Sequence, residues 1–88
     1  MTTIASLTHL SDDQLIACIR RHAEDERRAT AILVASLVEF DARRLYLRQG
    51  NPSLFTYCTQ VLHLSEHAAY GRIEAARAAR KKLPDRTA

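Results

Sequence analysis

Two helical patterns meet in the segment CTQVLHLSEHAA, which runs from Cys58 to Ala69. Ser65 is placed to begin the second helix, because a serine side chain can accept a hydrogen bond from a backbone N–H group one turn further on. A first helix of about nine residues, a turn of three or four and a second helix form the outline of a helix-turn-helix. The segment therefore predicts two helices that are consecutive in the sequence and joined by a tight turn.

Side chains around this turn fit the outline at two positions and depart from it at a third. Leu62 supplies the apolar end of the first helix, and Ala69 is small enough to pack back from the second. His63 stands where a glycine is expected, and histidine tolerates the left-handed conformation better than most side chains. A plain helical hairpin remains the alternative.

Upstream of this segment, Gly50-Asn51-Pro52-Ser53 is the clearest helix stop and restart in the chain. A helix is predicted from about Leu54 to Leu62. Its buried side would carry Leu54, Phe55, Cys58, Val61 and Leu62. Downstream, Ser65 caps a helix from Glu66 to about Lys82. Its inward face would be formed by Ala69, Ile73 and Ala76.

Further upstream, Ser11 and Gln14 have the spacing of a capping box. Apolar residues then recur at helical steps from Leu15 to Phe40, with no glycine or proline before Gly50. One helix over 12–49 would span about 57 Å at about 1.5 Å per residue. A break in the polar stretch 24–28, which would fold the first segment back, is the alternative.

These patterns predict an all-α fold with one long N-terminal helix followed by a helix-turn-helix-like pair. Residues 1–10 are expected to form a frayed leader, 11–84 a single helical domain and 85–88 a tail. The chain has 88 residues, of which 47% are hydrophobic and 26% charged. Its longest apolar run, 31–38, is far shorter than the roughly 20 residues of a membrane span. With no signal-like start, we expect a cytoplasmic protein with no membrane contact.

Positive charge is concentrated in the second part of the chain. Residues 41–88 hold nine Lys or Arg against four Asp or Glu, a net +5, whereas residues 1–40 have four against six, a net −2. This asymmetry favours an anionic partner, and DNA in particular, for the C-terminal part. The alternative is a solvated basic helix end that complements the helix dipole.

The last helix carries the candidate nucleic-acid-binding residues. His67, Tyr70 and Glu74 are spaced for contacts to base edges, and five cations follow for phosphate contacts. The whole predicted set is His67, Tyr70, Arg72, Glu74, Arg77, Arg80, Lys81 and Lys82.

No pattern in the sequence predicts catalysis, a cofactor or a small-molecule substrate. Cys18 and Cys58 are too far apart for a metal knuckle or redox pair. His63 and His67 have the spacing of a helical metal pair, but the helix start between them separates their faces, so no metal site is expected.

The segment from Arg43 to Arg80, with the motif "LY…G…SLF.YC…L.LSE..AY.RI.AAR", resembles the N-terminal helical module of bacterial HNH-endonuclease-type proteins. The resemblance covers about residues 11–82 and is specific in the second half. The resemblance implies a helix-turn-helix-like module for nucleic-acid binding or assembly, usually fused to a nuclease. The histidines and ββα scaffold of an HNH nuclease are not recognisable, so the resemblance implies no nuclease activity and the chain is expected not to be an enzyme.

A helix of 57 Å outruns a domain about 30 Å across, so part of its apolar stripe would lack a cover within the chain. A second copy packed antiparallel would bury it and would present two basic last helices to DNA. The predicted homodimer interface is Leu15, Ile16, Ile19, Ala23, Ile32, Leu33 and Leu37. A dimerisation or protein-partner-binding module without nucleic-acid contact is the alternative function.

Overall fold

A computed structural model describes residues 4–83, and every regular element in that range is helical. In chain order the elements are α1 (Ile4–Leu7), α2 (Asp12–Ala42), α3 (Leu45–Arg48), α4 (Leu54–Thr56), a π turn (Tyr57–Val61) that continues α4, and α5 (Glu66–Lys81). The prediction of an all-α fold with a long N-terminal helix is confirmed. Within residues 4–83, no helix is both long enough and apolar enough to span a bilayer.

The chain divides into two compact units, Met1–Thr30 and Ala31–Ala88, where the sequence predicted one domain over 11–84. We call them unit 1 and unit 2 and describe each separately. The predicted tail, 85–88, lies outside the described residues.

Unit 1 contains α1 and the first turns of α2. The predicted capping box is present, because the Ser11 amide donates to Gln14 Oε1 at 2.9 Å and the Gln14 amide donates to Ser11 Oγ at 3.2 Å. Residues 4–7 of the predicted frayed leader form the helix α1 instead. The Thr8 hydroxyl closes its end by donating to the Ala5 carbonyl at 2.7 Å.

The polar stretch of α2 is a continuous helix, so the alternative of a break at residues 24–28 is wrong. Glu24 forms ion pairs with Arg27 and, at 3.6 Å, with Arg28. These exposed pairs each contribute only a few tenths of a kcal/mol. They nevertheless stabilise the helix in a stretch that has no apolar face to bury.

The long helix ends at Ala42, seven residues before the predicted end at 49. Arg44 has left-handed backbone angles, φ 51° and ψ 41°, which turn the chain into α3. This turn brings the Tyr46 ring to 6.5 Å from the Phe40 ring, and Tyr57 reaches the same Phe40 at 4.7 Å. Aromatic burial offsets the cost of a left-handed arginine, and no glycine or proline marks the position in the sequence.

The predicted stop and restart at Gly50 and Ser53 are confirmed. Gly50 is left-handed with φ 82°, its amide donates to Leu47 O at 3.0 Å, and the Asn51 amide donates to Tyr46 O at 2.9 Å. These two bonds form a Schellman motif that ends α3. The Ser53 hydroxyl then accepts from the Thr56 amide at 3.0 Å and starts α4.

The helix predicted over 54–62 widens into the π turn after one α-helical turn. The Thr59 hydroxyl donates to the carbonyls of Phe55 and Thr56, and bonds of this type compete with the backbone ladder of an α-helix. The wider turn moves later residues out of the 3.6-residue period. Val61 and Leu62, predicted as buried, are therefore 45% and 36% exposed.

The core of unit 2 lies between α2, α4, the π turn and α5. Its fully buried members are Leu37, Leu54, Cys58, Ala69, Ile73 and Ala76. The inward face predicted for the last helix is thus confirmed. Three of these residues are alanine or cysteine, and such small side chains let the helices approach closely.

The two cysteines should react very differently with a thiol reagent. Cys58 is fully buried, and burial raises the pKa of its thiol above the ordinary value of 9.0, whereas Cys18 is only half-buried. In the native protein we expect Cys18 to be modified first and Cys58 only when unit 2 unfolds. Mass spectrometry after timed labelling of the native chain and of a Cys18→Ser variant measures this. Equal native rates at the two thiols would contradict the buried position.

The same pKa shift has a consequence for stability. Because the folded state holds the Cys58 proton more tightly than the unfolded state, this contribution to stability is complete below pH 9.0 and falls as pH rises above it.

Candidate nucleic-acid interface

His63 occupies the turn before α5 in the left-handed conformation, with φ 58°, as its position in the sequence predicted. The Leu64 amide donates to the Cys58 carbonyl at 3.0 Å. In a Schellman motif that bond would reach Thr59, and the π turn lengthens the reach by one residue. The turn is thus built by the backbone of 58–64.

Ser65 fixes the start of α5. Its hydroxyl accepts a hydrogen bond from the Ala68 amide at 3.1 Å, so Glu66 is the first helical residue. Both α4 and the π turn pack against α5, and the rings of Phe55 and Tyr70 lie 4.8 Å apart across this contact. Unit 2 thus contains, in order, a short helical segment over 54–61, a connection over 62–65 and the longer helix α5.

The outward face of α5 consists mainly of small residues. At about 100° per residue around the helix, His67, Gly71, Ala75 and Ala78 lie within one sector opposite the buried Ala69, Ile73 and Ala76. All four are exposed. The helix backbone can therefore come close to whatever surface faces it.

Cations stand on both flanks of this outward face rather than in one stripe. Arg72 and Lys81 are about 180° apart around the helix, one on each side of the outward face. Arg77 precedes Lys81 by one turn and lies closer to the buried face. Lys82 is the C-cap of α5, and Arg80 lies in the last turn on the same side of the helix as Ile73. The predicted set is thus distributed around α5.

Arg77 differs from the other cations of α5 because it has a partner. Its Nε lies 3.5 Å from Asp41 Oδ2, and the Asp41 side chain is only 12% exposed. The carboxylate neutralises much of the charge that Arg77 would offer to a phosphate. Within residues 4–83, no ion pair involves the four other cations of the set, Arg72, Arg80, Lys81 and Lys82.

The contact between Asp41 and Arg77 brings the end of α2 beside α5, which the sequence did not predict. Arg44 follows three residues after Asp41, its amide donates to the Asp41 carbonyl at 3.1 Å, and its side chain is exposed. Its neighbour Arg43 is paired with Glu39 at 2.6 Å. Arg44 is therefore an additional candidate cation, and only its position in the basic half hinted at it.

Tyr70 and Glu74 remain accessible at the first half of α5. Tyr70 is 64% exposed although its ring packs against Phe55. Glu74 is exposed beside the outward sector. Its carboxylate repels phosphate but can accept a hydrogen bond from a cytosine amino group.

The described part of the chain contains no candidate metal cluster. No group of three His, Cys, Asp or Glu residues is placed to hold a metal ion there. The Ser65 hydroxyl is engaged as a helix cap, and His63 belongs to a turn.

The predicted dimer interface is only partly available. Leu37 is 3% exposed in the core of its own chain, so its assignment to the interface is wrong. Leu33 is partly buried against the same core. Ile32 is 67% exposed but lies about 140° around α2 from Leu37, on the side away from that core. The other four predicted residues are exposed in unit 1: Leu15, Ile16, Ile19 and Ala23.

The chain matches no protein-family model, no curated protein and no solved structure. The resemblance to the HNH-type module therefore stays a prediction from the motif.

Gly71 can be replaced without steric cost, which gives a direct test of the outward face. An added Cβ meets nothing within 4 Å, and the φ of Gly71 lies outside the left-handed region. Alanine should therefore raise the free energy of unfolding by about 0.8–1 kcal/mol through helix propensity alone. Urea unfolding followed by circular dichroism measures the change. A loss of stability would mean that this sector of α5 is covered.

Proposed function

We propose that this chain is a non-catalytic DNA-binding module, working as a homodimer, in which α4, the π turn and α5 act as a helix-turn-helix. In this proposal α5 is the recognition helix and enters the major groove. The resemblance of the segment from Arg43 to Arg80 to the HNH-type module favours the same class.

The observation that carries the proposal is the small outward face of α5 with cations on both flanks. A major groove is about 12 Å wide and admits one helix, with a phosphate backbone on each side. Gly71, Ala75 and Ala78 allow the helix to approach the groove floor. Arg72 on one flank and Lys81 on the other are then placed for the two backbones.

Base contacts would come from the first half of α5, as is usual for recognition helices. His67 can donate to or accept from a base edge, and Glu74 can accept from cytosine. The second half, with Arg80, Lys81 and Lys82, supplies charge for phosphates and makes the affinity dependent on salt.

Paired substitutions at Gly71 test this docking geometry. Gly71→Leu projects a large side chain from the centre of the outward face and should weaken binding to duplex DNA by roughly tenfold or more, because the helix can no longer approach the groove floor. Gly71→Ala is the matched control and should bind within about twofold of the natural chain. Fluorescence anisotropy with a labelled duplex measures both affinities. Equal binding by the two variants, or no binding by the natural chain, would refute the proposal.

A second candidate function is self-association or partner binding without DNA contact. The observation that favours it is the exposed apolar face of α2 in unit 1. This face does not include α5, so the two functions can be tested separately.

A further inference from the structure

The exposed apolar face of α2 in unit 1 is a feature that the proposed DNA binding leaves unused. Leu15, Ile16 and Ile19 are 39%, 51% and 61% exposed, and Ala23 extends the face by one turn. A groove of about 440 Å³ between α1 and α2 is lined from α2 by residues on the opposite side of the helix, including Ala17 and Arg21. Apolar side chains at this density on one exposed face indicate a contact surface.

The spacing along this face is that of a coiled-coil seam. Asp12, Ile16, Ile19, Ala23 and Glu26 follow one another at alternating steps of four and three residues. Such a seam packs against another helix with the same repeat. A second copy of α2 supplies that repeat without any further partner.

The charges on the seam select the orientation of the two copies. A parallel pair would place Asp12 against the partner's Asp12 and Glu26 against the partner's Glu26, which is unfavourable for like charges. An antiparallel pair in which Ile16 faces the partner's Ile19 places Asp12 opposite the partner's Ala23. Both like-charge contacts are then removed.

The same antiparallel register also brings unpaired opposite charges together beside the seam. Asp13 and Arg20 occupy equivalent flanking positions of successive heptads, and equivalent flanks face each other in an antiparallel pair. Both side chains are exposed, and neither forms an ion pair within the described residues of its own chain. By two-fold symmetry the contact between Asp13 and the partner's Arg20 occurs twice.

We infer that α2 of unit 1 pairs antiparallel with a second copy of this chain, with Ile16 and Ile19 at its centre and Asp13 against the partner's Arg20. The inference deepens the dimer in the proposed function by naming its surface, orientation and specificity residues, and it does not require DNA contact. Because few side chains form the seam, the dimer is weak, with association in the micromolar to submillimolar range.

Complementary charge reversal tests the register. In Asp13→Arg the pair becomes two arginines, and in Arg20→Asp it becomes two aspartates, so each variant repels its own copy at both symmetric contacts. An equimolar mixture restores two opposite-charge contacts in a heterodimer. Sedimentation equilibrium without DNA measures the mass of the natural chain, each variant and the mixture, and circular dichroism verifies that each remains helical.

We expect the natural chain and the mixture to approach twice the 9.9 kDa of one chain as concentration rises, with each single variant weakened at least tenfold in association. Ile32→Lys is the control for an exposed isoleucine outside the seam and should associate like the natural chain. A natural chain that stays at 9.9 kDa would overturn the inference, and so would single variants that associate undiminished. Since DNA is absent, either result is separate from the test at Gly71.

Discussion

Replacing Ile73 by alanine is expected to lower the free energy of unfolding of unit 2 by about 2–5 kcal/mol. Ile73 is 6% exposed and belongs to the core cluster that joins α5 to α2 and α4. Alanine would remove three buried carbon atoms and leave a cavity that closely packed helices cannot fully close. For a unit of this size the loss approaches its whole stability.

Ile32→Ala provides the matched control, because the same side chain is removed from a position that is 67% exposed on α2. Its effect should stay within about 0.5 kcal/mol. Denaturant unfolding of both variants, followed by circular dichroism, gives the comparison. Similar losses at the two positions would mean that α5 does not bury the face described here.

Neutralising Arg80, Lys81 and Lys82 together, each by glutamine, is expected to weaken binding to all duplexes regardless of sequence. These cations have no ion-pair partner within residues 4–83, so no carboxylate there neutralises their charge. Each lost phosphate contact should lower the slope of log affinity against log salt concentration by about 0.9. Arg77 is left in place because Asp41 already pairs with it.

The control for total charge is a variant of unit 1 in which Arg21, Arg27 and Arg28 become glutamine. It loses the same three charges and should retain most of the salt slope. Titrations of both variants at several salt concentrations measure the slopes. If the two variants lose affinity equally, net charge rather than the end of α5 governs the binding.

The helix boundaries of this fold were largely predictable, because capping residues form hydrogen bonds with the backbone near their own position. Ser11, Ser53, Ser65 and Gly50 mark where helices begin and end, and each acts within one turn of its own position. The buried face of α5 was equally clear, because alanine and isoleucine recur there at helical steps.

Features that depend on contacts distant in sequence were not predictable. Arg44 ends the long helix through a left-handed turn that aromatic packing around Phe40 stabilises. No glycine or proline beside Arg44 marks this helix end in the sequence. The π turn contains a hydrogen bond from the Thr59 hydroxyl to the Phe55 carbonyl, which residue type alone does not predict. The position of Leu37 in the apolar pattern of α2 fits a dimer interface as well as it fits the core of the chain itself. Only the packing of α5 shows that Leu37 lies in the core.

The candidate site was predicted as a set of residues but not as an arrangement. The number of cations in the sequence does not show that Arg77 is ion-paired with Asp41. Nor does it show that Arg72 and Arg77 lie on different sides of α5. Arg44 was missed because the ion pair between Asp41 and Arg77, which places the end of α2 beside α5, is not visible in the sequence.

We expect α5 to be the DNA-contacting surface of this chain. Amide chemical-shift mapping by NMR during titration with a duplex tests it most directly, because each residue reports its own environment. We expect the largest shifts along the outward face and flanks of α5, at His67, Gly71, Glu74 and Lys81, with smaller shifts around Ile16 and Ile19 in unit 1. Shifts confined to unit 1, or none at any duplex concentration, would contradict it.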